Sequence, residues 1–138
     1  MAIDPRSVST APRPTPTSTP YWDALAGGRL QLQHCTSCDR YVHYPRIRCP
    51  HCGGGELDWR EVEPAGTVHT FTVAPVPTAP PYAGRVPQLI AIVELSCGVR
   101  VTSELVDVEP EAIRSGMAVR GVFQPDPSGV TLLRFAPA

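Results

Sequence analysis

The sequence lacks several features that whole classes of protein require. Lysine is absent, so all twelve basic residues are arginine, and the formal net charge is −1. A chain with this charge has no bulk attraction to nucleic acid or to anionic membranes. No apolar run approaches the roughly 20 residues that a membrane-spanning helix needs. The N-terminal stretch has no apolar core, so we expect no secretory signal and a cytoplasmic, reducing compartment.

The sequence signatures of common enzyme classes are also missing. We find no nucleotide-binding glycine loop, no serine-centred elbow and no cluster of metal-binding carboxylates. Glu94 interrupts an apolar run, where either a solvent position at a strand end or a buried, paired position would suit it. His69 is predicted to be a hydrogen-bonded residue at the core edge. Cys97 lies in a predicted hairpin turn, and nothing nearby in sequence marks it as a nucleophile.

The sequence does contain two Cys-x-x-Cys motifs, separated by ten residues: Cys35 with Cys38, and Cys49 with Cys52. Two tight turns of this kind can present four thiolates to one ion, which is the tetrahedral ligand set of structural zinc. Iron in a rubredoxin-like site is the chief alternative, and a reducing compartment disfavours two disulfides. Because four thiolates complete the coordination sphere, we predict a structural zinc ion and not a catalytic one.

Histidines and arginines surround the cysteines. We predict that the histidines are surface or supporting residues and not ligands: His34, His43 and His51. The arginines either offset the negative charge of a four-thiolate site or meet a phosphate-bearing ligand: Arg40, Arg46 and Arg48. Asp39 and Gly53 follow the two motifs, and both residue types tolerate the positive φ that such turns require.

The N-terminal third of the chain changes in character at about residue 19. Residues 1–18 are rich in proline, serine and threonine, which predicts a disordered tail or linker. Residues 19–60 are predicted to form a short helix followed by a rubredoxin-like zinc ribbon. Thr19 suits the helix cap, Pro20 suits the first helical position, and Gly27 suits a left-handed exit.

Residues 61–138 contain five β-type runs with one short helical piece between the third and the fourth. That count matches a five-stranded OB-fold barrel, so the predicted fold class is mostly β. The proline-rich loop between the first two runs carries Tyr82 and Arg85. This loop is the best place on the barrel for contact with a ligand or a partner, the alternative being a plain proline-stiffened connection.

The order of the motifs resembles one known family closely. It begins with "YWDALAGGRLQLQHCTSCDRYVHYPRIRCPHCG", continues through "GTVHTFTV" and "PQLIAIVELSCGVRVTSELV", and ends with "SGMAVRGVF" and "LLRFAP". This order is similar to the zinc-ribbon plus OB-fold family first catalogued as a domain of unknown function and later tied to acyl-CoA metabolism. The resemblance covers roughly residues 20–137.

The resemblance implies a non-catalytic accessory subunit that binds and activates a thiolase-like acyl-CoA enzyme. The implied enzymes are aldolases, retro-aldolases or thiolases of steroid or lipid side-chain degradation. Some members are joined through a linker to a hot-dog-fold enoyl-CoA hydratase, and residues 1–18 are similar to such a linker. The family's zinc ligands correspond to Cys35, Cys38, Cys49 and Cys52, and no catalytic residue carries over. The expected partners are the thiolase-like enzyme in a hetero-oligomer, the hydratase, and acyl-CoA. The residues expected to contact a partner or CoA are Tyr82, Arg85, Arg46 and Arg48.

Two other functions compete with this hypothesis. An OB-type barrel suggests a nucleic-acid-binding protein, but the five arginines of residues 61–138 are outnumbered by acidic residues. Strand-binding grooves need positive charge and exposed aromatic platforms, whereas the phenylalanines here alternate like core residues. A self-sufficient acyl-CoA-binding or thioesterase-like enzyme ranks last, because the sequence shows no nucleophile–base pair.

Overall fold

The computed structural model describes residues 11–77, 79 and 82–138. Residues 1–10 of the predicted linker lie outside this range. Within the range the chain forms helix α1 (Thr19–Ala26), a 3₁₀ turn (Pro110–Ala112) and eight strands. The strands are β1 (Leu30–Cys35), β2 (Tyr41–Val42), β3 (Leu57–Val62), β4 (Ala65–Ala74), β5 (Gln88–Leu95), β6 (Arg100–Glu104), β7 (Ala118–Pro125) and β8 (Thr131–Pro137). No helix in the described part of the chain is long and apolar enough to cross a membrane.

Helix α1 forms where the sequence predicts it, but both of its ends differ by one residue. Ser18 occupies the cap position and Thr19 is already helical, because the Thr19 hydroxyl bonds back to the Thr15 carbonyl at 2.8 Å. At the other end Gly27 has a φ of −88°, and it is Gly28 that takes the left-handed conformation at +74°. The helix buries Tyr21, Ala24 and Leu25, so one face of a short helix supplies its tertiary contacts.

The ribbon is a three-stranded antiparallel sheet in the order β2–β1–β3. Strand β1 is central, with Leu30 opposite Val62 and Cys35 opposite Leu57 in β3. Strand β3 was missing from the sequence-based prediction, because only Glu63 and Pro64 separate it from β4. The prediction began the β-type runs at residue 61, whereas β3 begins at Leu57, and β3 and β4 belong to different sheets.

The second sheet has five strands in the order β6–β5–β4–β7–β8. A bridge between Leu105 and Phe135 brings its two edges together, and the Val106 N–H donates to the Phe135 carbonyl at 2.8 Å. These contacts make a nearly closed five-stranded barrel, which confirms the predicted mostly-β class. The short helical piece between the third and fourth barrel strands is the 3₁₀ turn.

One hydrophobic core joins the helix, the ribbon and the barrel. Leu25 of α1 and Leu32 of β1 are at most 1% exposed and belong to the same cluster as Val93 and Phe135 of the barrel. Each fully buried leucine or phenylalanine contributes about 1.5–3 kcal/mol relative to an exposed one. The shared core therefore fixes the ribbon against the barrel. A smaller cluster of Cys35, Val42 and Cys49 surrounds the cysteine site.

Candidate metal centre and adjoining face

The four predicted cysteine ligands lie together at the end of the ribbon. Their sulfur atoms are all within 4.8 Å of one another, and the Cys35–Cys52 and Cys38–Cys49 Sγ pairs are each 3.6 Å apart. A tetrahedral site with Zn–S bonds of about 2.3 Å places its sulfur atoms about 3.8 Å apart. Bonded disulfide sulfurs would instead be about 2.05 Å apart. The donor set and its spacing therefore fit one tetrahedral metal ion.

Backbone amides direct hydrogen bonds at these sulfur atoms. The His51 N–H donates to Cys49 Sγ, and the Gly54 N–H donates to Cys52 Sγ, both at 3.4 Å. The main chain turns in the way the sequence predicts, because Asp39 has a φ of 59° and Gly53 a φ of 78°. Each Cys-x-x-Cys segment thus forms a tight turn with its thiols facing inward.

The surroundings of the thiols shift their pKa values in opposite directions. The Cys38 N–H, with smaller contributions from other hydrogen bonds, lowers the pKa of Cys35 to about 6. Burial and the neighbouring sulfurs raise the pKa of Cys38 to about 12. Crowded thiolates disfavour one another, and a bound divalent cation removes that penalty. The cluster therefore has the chemistry of a metal site with no position left open for a substrate.

None of the three nearby histidines belongs to the cysteine cluster in the described residues. His34 is 3% exposed, and its Nε2 lies 2.7 Å from the Asp39 carboxylate. This contact joins the residues on either side of the Cys35–Cys38 turn and stabilises it. His51 is exposed and contributes only its N–H. His43 lies away from the sulfurs, where its ring packs 5.5 Å from that of Tyr21.

Burial gives His43 a measurable effect on acid stability. Desolvation lowers the pKa of His43 from 6.5 to about 4. Between these values the unfolded chain binds a proton that the folded chain does not, so stability falls as the pH drops through this window. We expect wild type to lose about 2–3 kcal/mol more than His43→Phe between pH 7 and pH 4.5. Urea unfolding at a series of pH values measures the difference.

A matched control for this prediction is His69→Phe, the same exchange at an exposed position. Protonation of the thiols at acid pH affects all three proteins alike and cancels in the comparison. Parallel curves for wild type and His43→Phe would contradict the buried, neutral state of His43.

The ribbon loop, defined as residues 43–48, is held by a buried amide. Gln33 of β1 is 5% exposed, its Nε2 donates to the Arg46 carbonyl at 2.8 Å, and its Oε1 accepts from the Arg46 N–H at 2.7 Å. This two-way bond fixes the main chain while leaving the side chains outside. Tyr44 is 59% exposed and Ile47 is 82% exposed, and Arg46 and Arg48 are exposed beside them.

The barrel loop, defined here by residues 82–87, carries the other predicted contact residues. The Arg85 guanidinium lies 5.5 Å from the centre of the Tyr82 ring and donates to the Glu104 carboxylate of β6 at 2.7 Å. The ion pair between Arg85 and Glu104 holds this loop against β6 of the barrel. Residues 78, 80 and 81, which precede the barrel loop, are outside the described range.

A cavity of about 620 Å³ brings the two loops together. Tyr44 and Pro45 of the ribbon loop and Tyr82 of the barrel loop all line it, along with Trp22 of α1. Of the four residues predicted as contacts, Tyr82 lines this cavity, whereas Arg46, Arg48 and Arg85 are not among its lining residues. The roles of Tyr82, Arg85, Arg46 and Arg48 as partner or CoA contacts stay predictions.

Other residues singled out in the sequence lie apart from both the sulfur cluster and this cavity. Glu94 is 44% exposed on its side chain and pairs with Arg100 at 3.3 Å, so it is both solvent-facing and paired. The expectation for His69 was wrong, because a register shift between Val68 and Thr70 turns this residue outward. Cys97 is a free thiol packed partly against the core.

A closed four-cysteine ribbon joined through a common core to a five-stranded barrel defines a zinc-ribbon/OB-fold protein. Residues 22–58 match the family described as "ChsH2, rubredoxin-like zinc ribbon domain", and residues 59–124 match "ChsH2, C-terminal OB-fold domain". A DUF35 domain-containing scaffold protein of Methanothermobacter thermautotrophicus is 36% identical over 91 residues, which cover 65% of this chain and 68% of that protein. The chain belongs to the DUF35 family, and by that family its metal is zinc.

Two further relatives are associated with enzymes by name. The solved structure of an Ltp2-ChsH2(DUF35) aldolase matches with a TM-score of 0.80 and 34% identity, covering 92% of this chain and 98% of that chain. A probable enoyl-CoA hydratase alpha subunit of Thermomonospora curvata is 38% identical over 121 residues. That match covers 86% of this chain but 36% of the hydratase subunit, so the chain spans about a third of that protein.

Proposed function

We propose that this chain is a non-catalytic accessory subunit that binds and activates a thiolase-like acyl-CoA enzyme in a hetero-oligomer. The enzyme would be an aldolase, a retro-aldolase or a thiolase acting on steroid or lipid side chains. The names of the aldolase and of the scaffold proteins to which the chain is similar support this assignment. The name of the hydratase relative supports a second contact, with an enoyl-CoA hydratase.

The exposed ribbon loop carries the proposal. Ile47 and Tyr44 leave large apolar surfaces in solvent, although the main chain beneath them is fixed by Gln33. A preorganised loop loses little conformational entropy on binding, and apolar residues flanked by arginines have the composition of interface hot spots. Residues 40–55 contain three arginines and no acidic residue, which favours a partner surface bearing carboxylates.

The metal centre supports docking and not chemistry in this proposal. Its four thiolates leave no open position for a substrate, so the ion holds the ribbon in shape. The chain would act by ordering loops of the partner and by shielding the reacting carbon from water. The partner would supply the acid, the base and the nucleophile. Tyr82 and Arg85 would extend the contact from the ribbon to the barrel and to the CoA tail.

Co-expression with the thiolase-like protein encoded nearest to this chain tests the proposal. We expect one hetero-oligomer in size-exclusion chromatography with light scattering, and higher acyl-CoA cleavage by the complex than by the partner alone. Ile47→Asp should weaken the complex by about 30-fold or more, because a hot-spot residue contributes about 2 kcal/mol or more. Since Ile47 is exposed, the variant should keep its zinc and its melting temperature.

Three further variants sharpen this test. Ile47→Leu preserves the apolar anchor and should bind like wild type. Arg46→Glu should weaken binding, whereas Arg120→Glu, an equal charge change at an exposed position of β7, should not. Separate elution of the two wild-type proteins, or a partner that is fully active alone, would contradict the accessory role.

A further inference from the structure

The cavity beside α1 has the size of a small-molecule site and walls that are mainly apolar. Its volume of about 620 Å³ falls within the range of about 300–1,000 Å³ for such pockets. The helix, the ribbon and the barrel all contribute aromatic or aliphatic side chains that line it and reach solvent: Trp22, Tyr44, Tyr82, Ile90, Leu132 and Leu133. A molecule with an apolar body would lose water contact on several sides at once here.

The same walls carry a surplus of positive charge. Among the described residues that line the cavity, the side chains charged at pH 7 are Arg13, Arg134 and Glu104. Burial lowers the pKa of His43 to about 4, so the ring of this lining residue adds no charge. Two arginines against one glutamate leave one positive charge in excess, which favours an anionic group on the ligand.

The glutamate is already paired, whereas the arginines keep donors available. The Glu104 carboxylate accepts a hydrogen bond from Arg85 of the barrel loop at 2.7 Å. Arg134 donates at 3.1 Å to the neutral side chain of Gln124, which uses only part of the donor capacity of a guanidinium. Within the described ranges, neither Arg13 nor Arg134 forms an ion pair with an acidic side chain. Both cations are therefore open to an anion from outside the chain.

We infer that the cavity binds one hydrophobic monocarboxylate, with its apolar body against the aromatic and aliphatic walls and its carboxylate on Arg13 and Arg134. A guanidinium matches a carboxylate with two parallel hydrogen bonds. A single carboxylate suits one excess positive charge, whereas a polyphosphate would also meet the Glu104 carboxylate without enough cations to offset the repulsion. The site belongs to this chain and does not rest on the proposed accessory role, so the isolated full chain tests it.

A matched pair of fluorescent probes isolates the role of charge. 1-Pyrenebutanoate and 1-pyrenebutanol share one apolar body and differ in the carboxylate. We expect saturable binding of the acid with one site per chain, and binding of the alcohol that is about threefold weaker, the effect of a solvent-accessible ion pair. Added sodium chloride should reduce this preference, because salt screens accessible charges.

The arginines are tested through the ratio of the two affinities. Arg13→Gln and Arg134→Gln should each reduce the preference for the acid, and the double variant should abolish it. A general loss of structure would weaken both probes and leave their ratio unchanged, so the ratio reports on charge alone. Arg120→Gln, the same exchange at an exposed position that does not line the cavity, should keep the wild-type preference.

The location of the apolar body is tested by filling the cavity. Ile90→Trp should weaken both probes by about tenfold or more. The control is Ile92→Trp, a partly buried isoleucine on the same strand that does not line the cavity and should bind both probes within about twofold of wild type.

Free coenzyme A is the competitor that distinguishes a carboxylate site from a polyphosphate site. At a concentration equal to that of the pyrene acid, it should leave the acid bound. Displacement of the acid by coenzyme A, equal affinities for the acid and the alcohol in wild type, or an unchanged preference in the double arginine variant would overturn the inference.

Discussion

Cys49→Ser is expected to release the metal ion and to unfold the ribbon. The variant leaves three thiolates where the geometry provides for four. In zinc-finger peptides the free energy of zinc binding, about 10–16 kcal/mol, is also the free energy that folds the chain. Cys49 is 2% exposed inside the small cluster with Cys35 and Val42, so the change also places a hydroxyl in an apolar site. Mass spectrometry of the metal should give near-zero zinc in place of about one ion per chain.

The barrel should respond to the same variant. Leu25, Leu30 and Leu32 belong to the core of the barrel as well as to the N-terminal part of the chain. Loss of the ribbon should therefore lower the melting temperature of the whole protein and not only that of one segment. Cys97→Ser is the matched control, since Cys97 lies outside the cluster and should keep full zinc occupancy. A Cys49→Ser protein with wild-type zinc content would disprove the metal assignment.

Gly66→Ala is expected to disrupt the barrel at the pairing of β4 with β5. A Cβ atom on Gly66 would collide with the main-chain carbonyl of Glu94 in the neighbouring strand. Main-chain atoms of a central strand cannot move aside as the end of a flexible side chain can. We expect a loss of about 3 kcal/mol or more in the free energy of unfolding, measured by chemical denaturation with zinc present.

The control for this change is Gly55→Ala. No atom lies within 4 Å of a Cβ placed on Gly55, so its substitution should change stability by less than about 0.5 kcal/mol. Equal stability of the Gly66→Ala and Gly55→Ala proteins would contradict this prediction. It would show that β4 and β5 can move apart at Gly66 and make room for a Cβ atom.

The metal centre is the feature that the sequence predicts best, because residues that are adjacent in the sequence specify it. Each Cys-x-x-Cys turn is specified by a few adjacent residues, with Asp39 and Gly53 providing the backbone conformations that follow. The barrel strands were also predictable, because Gln88–Leu95 is a nearly continuous apolar run and its neighbours alternate. Strand β3 was not, since no turn signal longer than Glu63 and Pro64 separates it from β4.

The face beside the cavity depends on contacts that sequence patterns do not encode. Tyr44, Tyr82 and Ile90 come from three separate segments, and only the shared core brings them to one cavity. Gln33 lies in an alternating run, "RLQLQHC", where a polar residue is normally taken to face solvent. Gln33 is buried because the main chain of Arg46 folds back against β1. A long-range contact of this kind is not visible in the pattern of a single strand.

The amide of Gln33 has a consequence for how this surface can change in evolution or by design. It recognises only main-chain atoms of residue 46, so it accepts any side chain there that permits the same backbone path. In the docking role proposed above, substitutions at positions 44, 46 and 47 would therefore alter which protein is recognised without altering the scaffold that presents them. Partner choice and fold would then be separately adjustable properties of this ribbon, and grafting a loop from one relative onto another should transfer the first without disturbing the second.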